Sequence, residues 1–201
     1  MRVAHFGDNW AKAKVRGTPH NTGDGLTMAL AVGAAAHGLF DGCHATPMDL
    51  HMADFGGLDL DPGERKNYRK ICYFLGIMVN AEGQRFVDEG ENFRIYTYAH
   101  FVRAILDQPG QFAWQIFDSK VFDLLYGEYT FHDAHYVEAE TLEDLLPQLK
   151  GVDTNAAAAT LAEYNNAVND VAFDPTKLDG KATEGLALQK SNWAQRIDTG
   201  P

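Results

Sequence analysis

Three places in this chain combine residue types and settings that could do chemistry: Thr22-Gly23-Asp24-Gly25, His44 and Arg94. The first lies where turn-rich sequence gives way to an apolar run. A helix starting there offers bare N–H groups and a positive dipole end, which suits an anion or a polar cofactor group. Its glycines let a ligand approach the backbone closely. The plainer reading is a simple N-cap in which Asp24 satisfies the first turn. A dinucleotide fingerprint is excluded, because Met28 stands where a third glycine belongs and no strand precedes. His44 sits in Gly42-Cys43-His44-Ala-Thr-Pro47, a turn from which an imidazole can hydrogen-bond a carboxylate or simply pack. Arg94 follows a stretch holding Asp88, Glu89 and Glu91, with Glu82 upstream. Held by carboxylates and aimed at an anionic ligand, its fork would bind two oxygens at once. Otherwise it is an exposed ion pair of little energy. His132 and His135 have the spacing of a metal pair, but no third ligand follows the pattern, so the sequence assigns no metal. The basic cluster Arg65-Lys66-Arg69-Lys70 reads as a solvated loop. Nucleophile-elbow, Cys/His and P-loop patterns are absent.

Around these residues the sequence predicts the following elements. Residues 1–22 form a connector, and a buried helix starts near Asp24 and stops by Gly38. Tyr73–Asn80 and Gln84–Asp88 form a hairpin around a Gly83 turn. An amphipathic helix spans 95–107, ended by Pro109-Gly110, and 112–117 is a buried strand. A short helix covers 119–125 and a strand 136–140. Thr141 with Asp144 opens a helix to about 149 in a near capping-box arrangement, and Asp153 or Thr154 caps a longer one over 155–169. A turn-rich tail over 171–201 includes Pro175, Gly180, Gly185, Gly200 and Pro201. Strands and helices mix without a βαβ rhythm, which predicts an α+β fold.

At 201 residues the chain can bury a sizeable core. Its net charge of −11 argues against nucleic acid and against an anionic membrane surface as partner. Residues 118–170 hold eleven acids and two bases, so the other segments, where the candidate residues lie, are close to neutral. Cys43 and Cys72 make no disulfide framework, no apolar run reaches membrane-spanning length, and no signal peptide opens the chain. The expected setting is cytoplasmic, without membrane insertion.

The ordered series of motifs resembles the FAD-dependent fumarate reductase/succinate dehydrogenase flavoprotein family. It runs from Arg16-Gly-Thr-x-x-Asn-Thr-Gly-Asp-Gly-x-x-Met-Ala through Gly42-Cys43-His44 to Gly76-Ile-Met-Val-Asn-x-x-Gly-x-Arg-Phe-Val-Asp-Glu89. Phe93-Arg94-x-Tyr-Thr-Tyr98, Gln108-Pro-Gly-Gln-Phe-Ala-Trp-Gln-x-Phe-Asp118 and Lys190-Ser-Asn-Trp193 follow, in wording closest to the tricarballylate dehydrogenase-like branch. The resemblance implies an oxidoreductase that dehydrogenates or reduces a small di- or tricarboxylate, with hydride exchanged at the FAD flavin. It implies that Asp24, within Thr22-Gly23-Asp24-Gly25, contacts FAD. It further implies that His44 holds a substrate carboxylate and that Arg94 exchanges the proton at the neighbouring carbon. One departure is visible. Fumarate reductases carry Thr-Glu-x-x-Arg before the strand matching 76–80, where this chain reads Arg69-Lys-Ile-Cys72, so that proton-delivery route is not carried over.

The Gly-rich FAD fingerprint of the family has no counterpart in these residues. The resemblance therefore implies an α+β capping (substrate) domain over 38–201, preceded by a connector and FAD-contacting turn and helix over 1–37, without the Rossmann-like FAD domain. Its partners would be the missing FAD domain, a small polycarboxylate substrate and a redox partner of unknown identity. On this reading the chain is a fragment, inactive alone. The alternative is a stand-alone module that binds an anionic metabolite without redox activity. Calorimetry with tricarballylate, citrate, fumarate and succinate separates the two.

Overall fold

The computed structural model describes residues 2–40, 42–57, 61, 65 and 68–198. Lys66, Gly200 and Pro201, named above, lie outside the described residues.

The core is organised by one short ribbon. Strand β1 (Ile77–Val79) pairs antiparallel with β2 (Trp114–Ile116), Met78 opposite Gln115. All three residues of β1 are buried, because the alternation of side chains feeds two separate clusters. Ile77 and Val79 pack with Ile116 against Leu161 and Tyr164 of helix α5 (Thr154–Ala167). Met78 points the other way, into a cluster with Ile71, Tyr73 and Phe101 of helix α3 (Arg94–Leu106). The ribbon is thus a middle layer between two helices.

Local chemistry explains the helix starts. The Asp153 side chain accepts the Ala156 N–H at 3.0 Å and caps α5. The Thr141 hydroxyl accepts the Asp144 N–H at 3.1 Å and donates to its carboxylate at 2.8 Å, which starts helix α4 (Leu142–Leu145). Gly83 is obligatory in its turn: its φ is +72°, and an added Cβ would lie 2.4 Å from the Ala157 nitrogen. Helices α1 (Arg2–Phe6) and α2 (Asp24–Ala31) precede this core.

Several expectations change. Residues 1–22 are more than a connector: α1 and a 3₁₀ turn at Asp8–Lys12 bring Trp10 against Val102 and Leu106. The hairpin over 73–88 does not form. Residues 84–88 carry no strand, and β1 takes its partner from far along the chain. The stretch 136–140 is likewise not a strand. Helix α2 forms at Asp24 but is not buried: Met28 is 69% exposed, with Leu26 and Leu30 also exposed. Among the described residues no helix is long and apolar enough to cross a membrane.

A buried polar clasp closes the second half of the molecule. Glu89 is fully buried. It accepts the Met78 N–H at 2.8 Å and two donors of Arg85, at 3.1 and 2.5 Å. Arg85 also donates to the carbonyls of Leu188 and Val87. The Lys190 ammonium, also fully buried, donates to the carbonyls of Phe74 and Gly76. Burial pushes its pKa down to about 8; the nearby Glu89 carboxylate pulls the other way. Ser191 binds Asp88 through its N–H and its hydroxyl, and Asn192 donates to the Gly90 carbonyl at 2.9 Å.

Candidate functional site

A groove with a volume of about 1890 Å³ runs between the N-terminal segment and the ribbon. Trp10, Thr22 and His44 line one part of it, and Trp114, His135 and Lys150 another. A concave surface with mixed apolar and polar walls is the usual setting of a ligand site.

The start of α2 departs from the plain N-cap. The N-cap position is Gly23, in left-handed conformation at φ 89°, and no side chain caps the helix. Asp24 does not satisfy the first turn. Both its carboxylate oxygens accept the Thr22 hydroxyl at 2.9 Å instead. A Cβ added at Gly25 would meet nothing within 4 Å. The first-turn N–H groups of α2 therefore face outward without a side-chain acceptor.

His44 contacts a residue of helix α3 that sequence reasoning missed. The His44 Nε2 lies 2.5 Å from the Tyr98 hydroxyl, with the rings 5.3 Å apart in an edge arrangement. Tyr98 stands one helical turn after Arg94 on α3, so one face of this helix carries both. The signal for Tyr98 was available in that i, i+4 spacing, with Arg94 immediately before the helix expected at 95–107. Arg103, further along α3, packs on Gly42, two residues before His44.

Arg94 is half-buried, and its guanidinium lies 4.7 Å from the centre of the Tyr126 ring. Three of the four acids expected near it are engaged elsewhere: Glu89 by Arg85, Asp88 by Ser191, and Glu91 by His100 at 3.2 Å. Among the described residues Arg94 makes no ion pair. Its charge is felt at two buried neighbours. Burial pushes the Tyr73 hydroxyl and the Cys72 thiol up, and Arg94 opposes both shifts. Arg69, the further cation near this region, is bound to Glu128 at 2.7 Å. His132 is 85% exposed at its side chain, and His135 packs on His51 instead, so the two do not converge.

Comparisons with known proteins follow this geometry. The FAD binding domain family matches residues 2–193. The probable fumarate reductase Ifc3 of Shewanella frigidimarina (strain NCIMB 400) is 30% identical over 162 residues, covering 76% of this chain and 24% of that protein. A solved 3-ketosteroid delta1-dehydrogenase from Sterolibacterium denitrificans, in complex with 1,4-androstadiene-3,17-dione, aligns with a TM-score of 0.58 at 24% identity. It covers 94% of this chain and 35% of that one, a likeness of fold. The chain thus spans about a quarter of the curated relative and a third of the solved one.

The family match overturns the expected capping domain without an FAD domain. Residues 2–193 are matched by the FAD binding domain itself. The expectation rested on a missing Gly-rich fingerprint. That fingerprint is a single phosphate-binding turn, and its absence does not decide which domain the remaining residues belong to.

Proposed function

Because the chain belongs to the FAD binding domain family, with FAD as its cofactor, we propose that it supplies part of the active site of an FAD-dependent oxidoreductase. The substrate is a small di- or tricarboxylate of tricarballylate type, dehydrogenated or reduced at a C–C bond beside its carboxylates. One observation carries this reading: Arg94 is half-buried, free of carboxylate partners among the described residues, and one helical turn from the tyrosine that holds His44. A cation so placed has its fork available for an anionic ligand.

Thr22, Gly23, Asp24 and Gly25 fit a polar or anionic part of the cofactor. The uncapped N–H groups of α2 and the open space at Gly25 admit such a group. Bound FAD would supply the hydride half of the chemistry. His44 orients one substrate carboxylate, and the Tyr98 hydroxyl fixes its imidazole. Arg94 then gives or takes the proton at the carbon next to the one that exchanges hydride, so a hydride and a proton together account for the two hydrogens. Arg69 is committed to Glu128 and takes no part.

The test uses the FAD-loaded protein that carries this chain. Tricarballylate bleaches the flavin absorbance of the wild type. Arg94→Ala lowers turnover about 100-fold or more while FAD content is kept. His44→Ala acts mainly by raising KM. Near-normal turnover of Arg94→Ala sinks the assignment.

A further inference from the structure

A second cluster in the groove stands apart from the residues assigned above. The imidazoles of His51 and His135 lie with ring centres 4.0 Å apart at 56°, and His135 has Trp114 on its other side at 5.6 Å. Their closeness is built in by Asp49, which is 5% exposed. Its Oδ1 accepts the His51 backbone N–H at 2.9 Å and its Oδ2 accepts the His135 backbone N–H at 3.1 Å. One buried carboxylate therefore brings together two segments far apart in sequence. Asp49 is also paired with Lys70 at 3.4 Å, so its charge is matched before either imidazole is protonated. Both histidine side chains line the groove, and their ring nitrogens have no hydrogen-bond partner among the described residues.

We propose that His51 and His135 form a subsite for a small oxyanion, a carboxylate or phosphate-like group, that binds together with a proton taken from solvent. Two imidazoliums in ring contact repel each other, and Lys70 and Lys150 add positive charge around them. An anion accepting a hydrogen bond from an N–H of each ring offsets that penalty. Burial and the charge of His51 push the His135 pKa down, with Asp49 opposing and Lys150 and Lys70 adding to the fall. Two other acids lie near the cluster. Asp133 accepts the Tyr68 hydroxyl at 2.6 Å, and Glu138 lines the groove wall. A metal fits less well, since no group of three His, Cys, Asp or Glu is placed to hold one among the described residues.

The proposal does not depend on the FAD reading, so the full chain without cofactor tests it. Imidazole proton–nitrogen spectra are recorded with sulfate and, separately, with acetate, both of constant charge between about pH 7.5 and 5.5. Binding is expected to tighten up to about tenfold per pH unit as pH falls, since one proton enters with the anion. The His135 resonances should shift, with their titration midpoint moved to higher pH. Preferred sulfate marks a phosphate-type ligand and preferred acetate a carboxylate; either supports the subsite. His135→Gln and His51→Gln should each abolish the pH dependence. Affinity for both anions that is independent of pH, or shifts confined to residues outside the cluster, overturns the proposal. The wild-type titration decides the matter even if a variant fails to fold.

Discussion

Arg85 and Arg94 belong to neighbouring motifs of one series, yet the fold treats them in opposite ways. Arg85 is almost fully buried and spends its donors on Glu89, Val87 and Leu188. Arg94 is half-buried, rests on the Tyr126 ring and has no ion-pair partner among the described residues. The first arginine is structural: with Glu89 it ties the ribbon to the tail. The second keeps its fork available. Motif membership alone therefore does not separate an arginine whose donors are committed from one whose donors are not. The separation comes from counting which donors are already used.

Four measurements break or sharpen this contrast. Arg85→Ala strands a fully buried Glu89 and should cost about 3–5 kcal/mol in urea unfolding. Arg94→Ala removes only a cation–π contact and should cost at most about 1 kcal/mol; equal losses for the two arginines would erase the distinction. The third test concerns Lys190. Its folded pKa of about 8 lies below the ordinary 10.5, so above pH 8 the native chain sheds a proton that the unfolded chain keeps. The unfolded state then binds more protons, and the Lys190 contribution to stability rises with pH from 8 towards 10.5. Comparing stability against pH for wild type and Lys190→Met should show this slope in the wild type only. The smallest effects contrast two helix starts. Asp153→Ala should destabilise α5 by about 1 kcal/mol. Asp24→Ala, which removes no cap, should cost less than about 0.5 kcal/mol and be read instead as lost FAD content.

Much of the helical structure was legible in sequence. The expected spans 95–107 and 155–169 appear as Arg94–Leu106 and Thr154–Ala167, because apolar spacing and an Asp or Thr cap are local signals. Pairing in the ribbon was not legible. Residues 77–79 and 84–88 are adjacent apolar runs around a glycine, but Glu89 takes the outward Met78 N–H and residues 114–116 take the other edge. The burial of α2 was misjudged for a related reason: small apolar residues show what a helix can bury, not what lies beside it. Type and setting single out Thr22–Gly25, His44 and Arg94 as candidates. They do not single out the His51–His135 pair, since its organiser is the single carboxylate of Asp49.

The side chains along the outer edge of β1 have a consequence for association between copies. An open strand edge offers unpaired N–H and C=O groups on which another chain can add a strand. Here the Met78 N–H is taken by Glu89, and the Phe74 and Gly76 carbonyls are taken by Lys190. Docking of the tail segment around Lys190 therefore helps to guard this edge against edge-to-edge association, and a chain clipped before that lysine would leave the Phe74 and Gly76 carbonyls open to its neighbours.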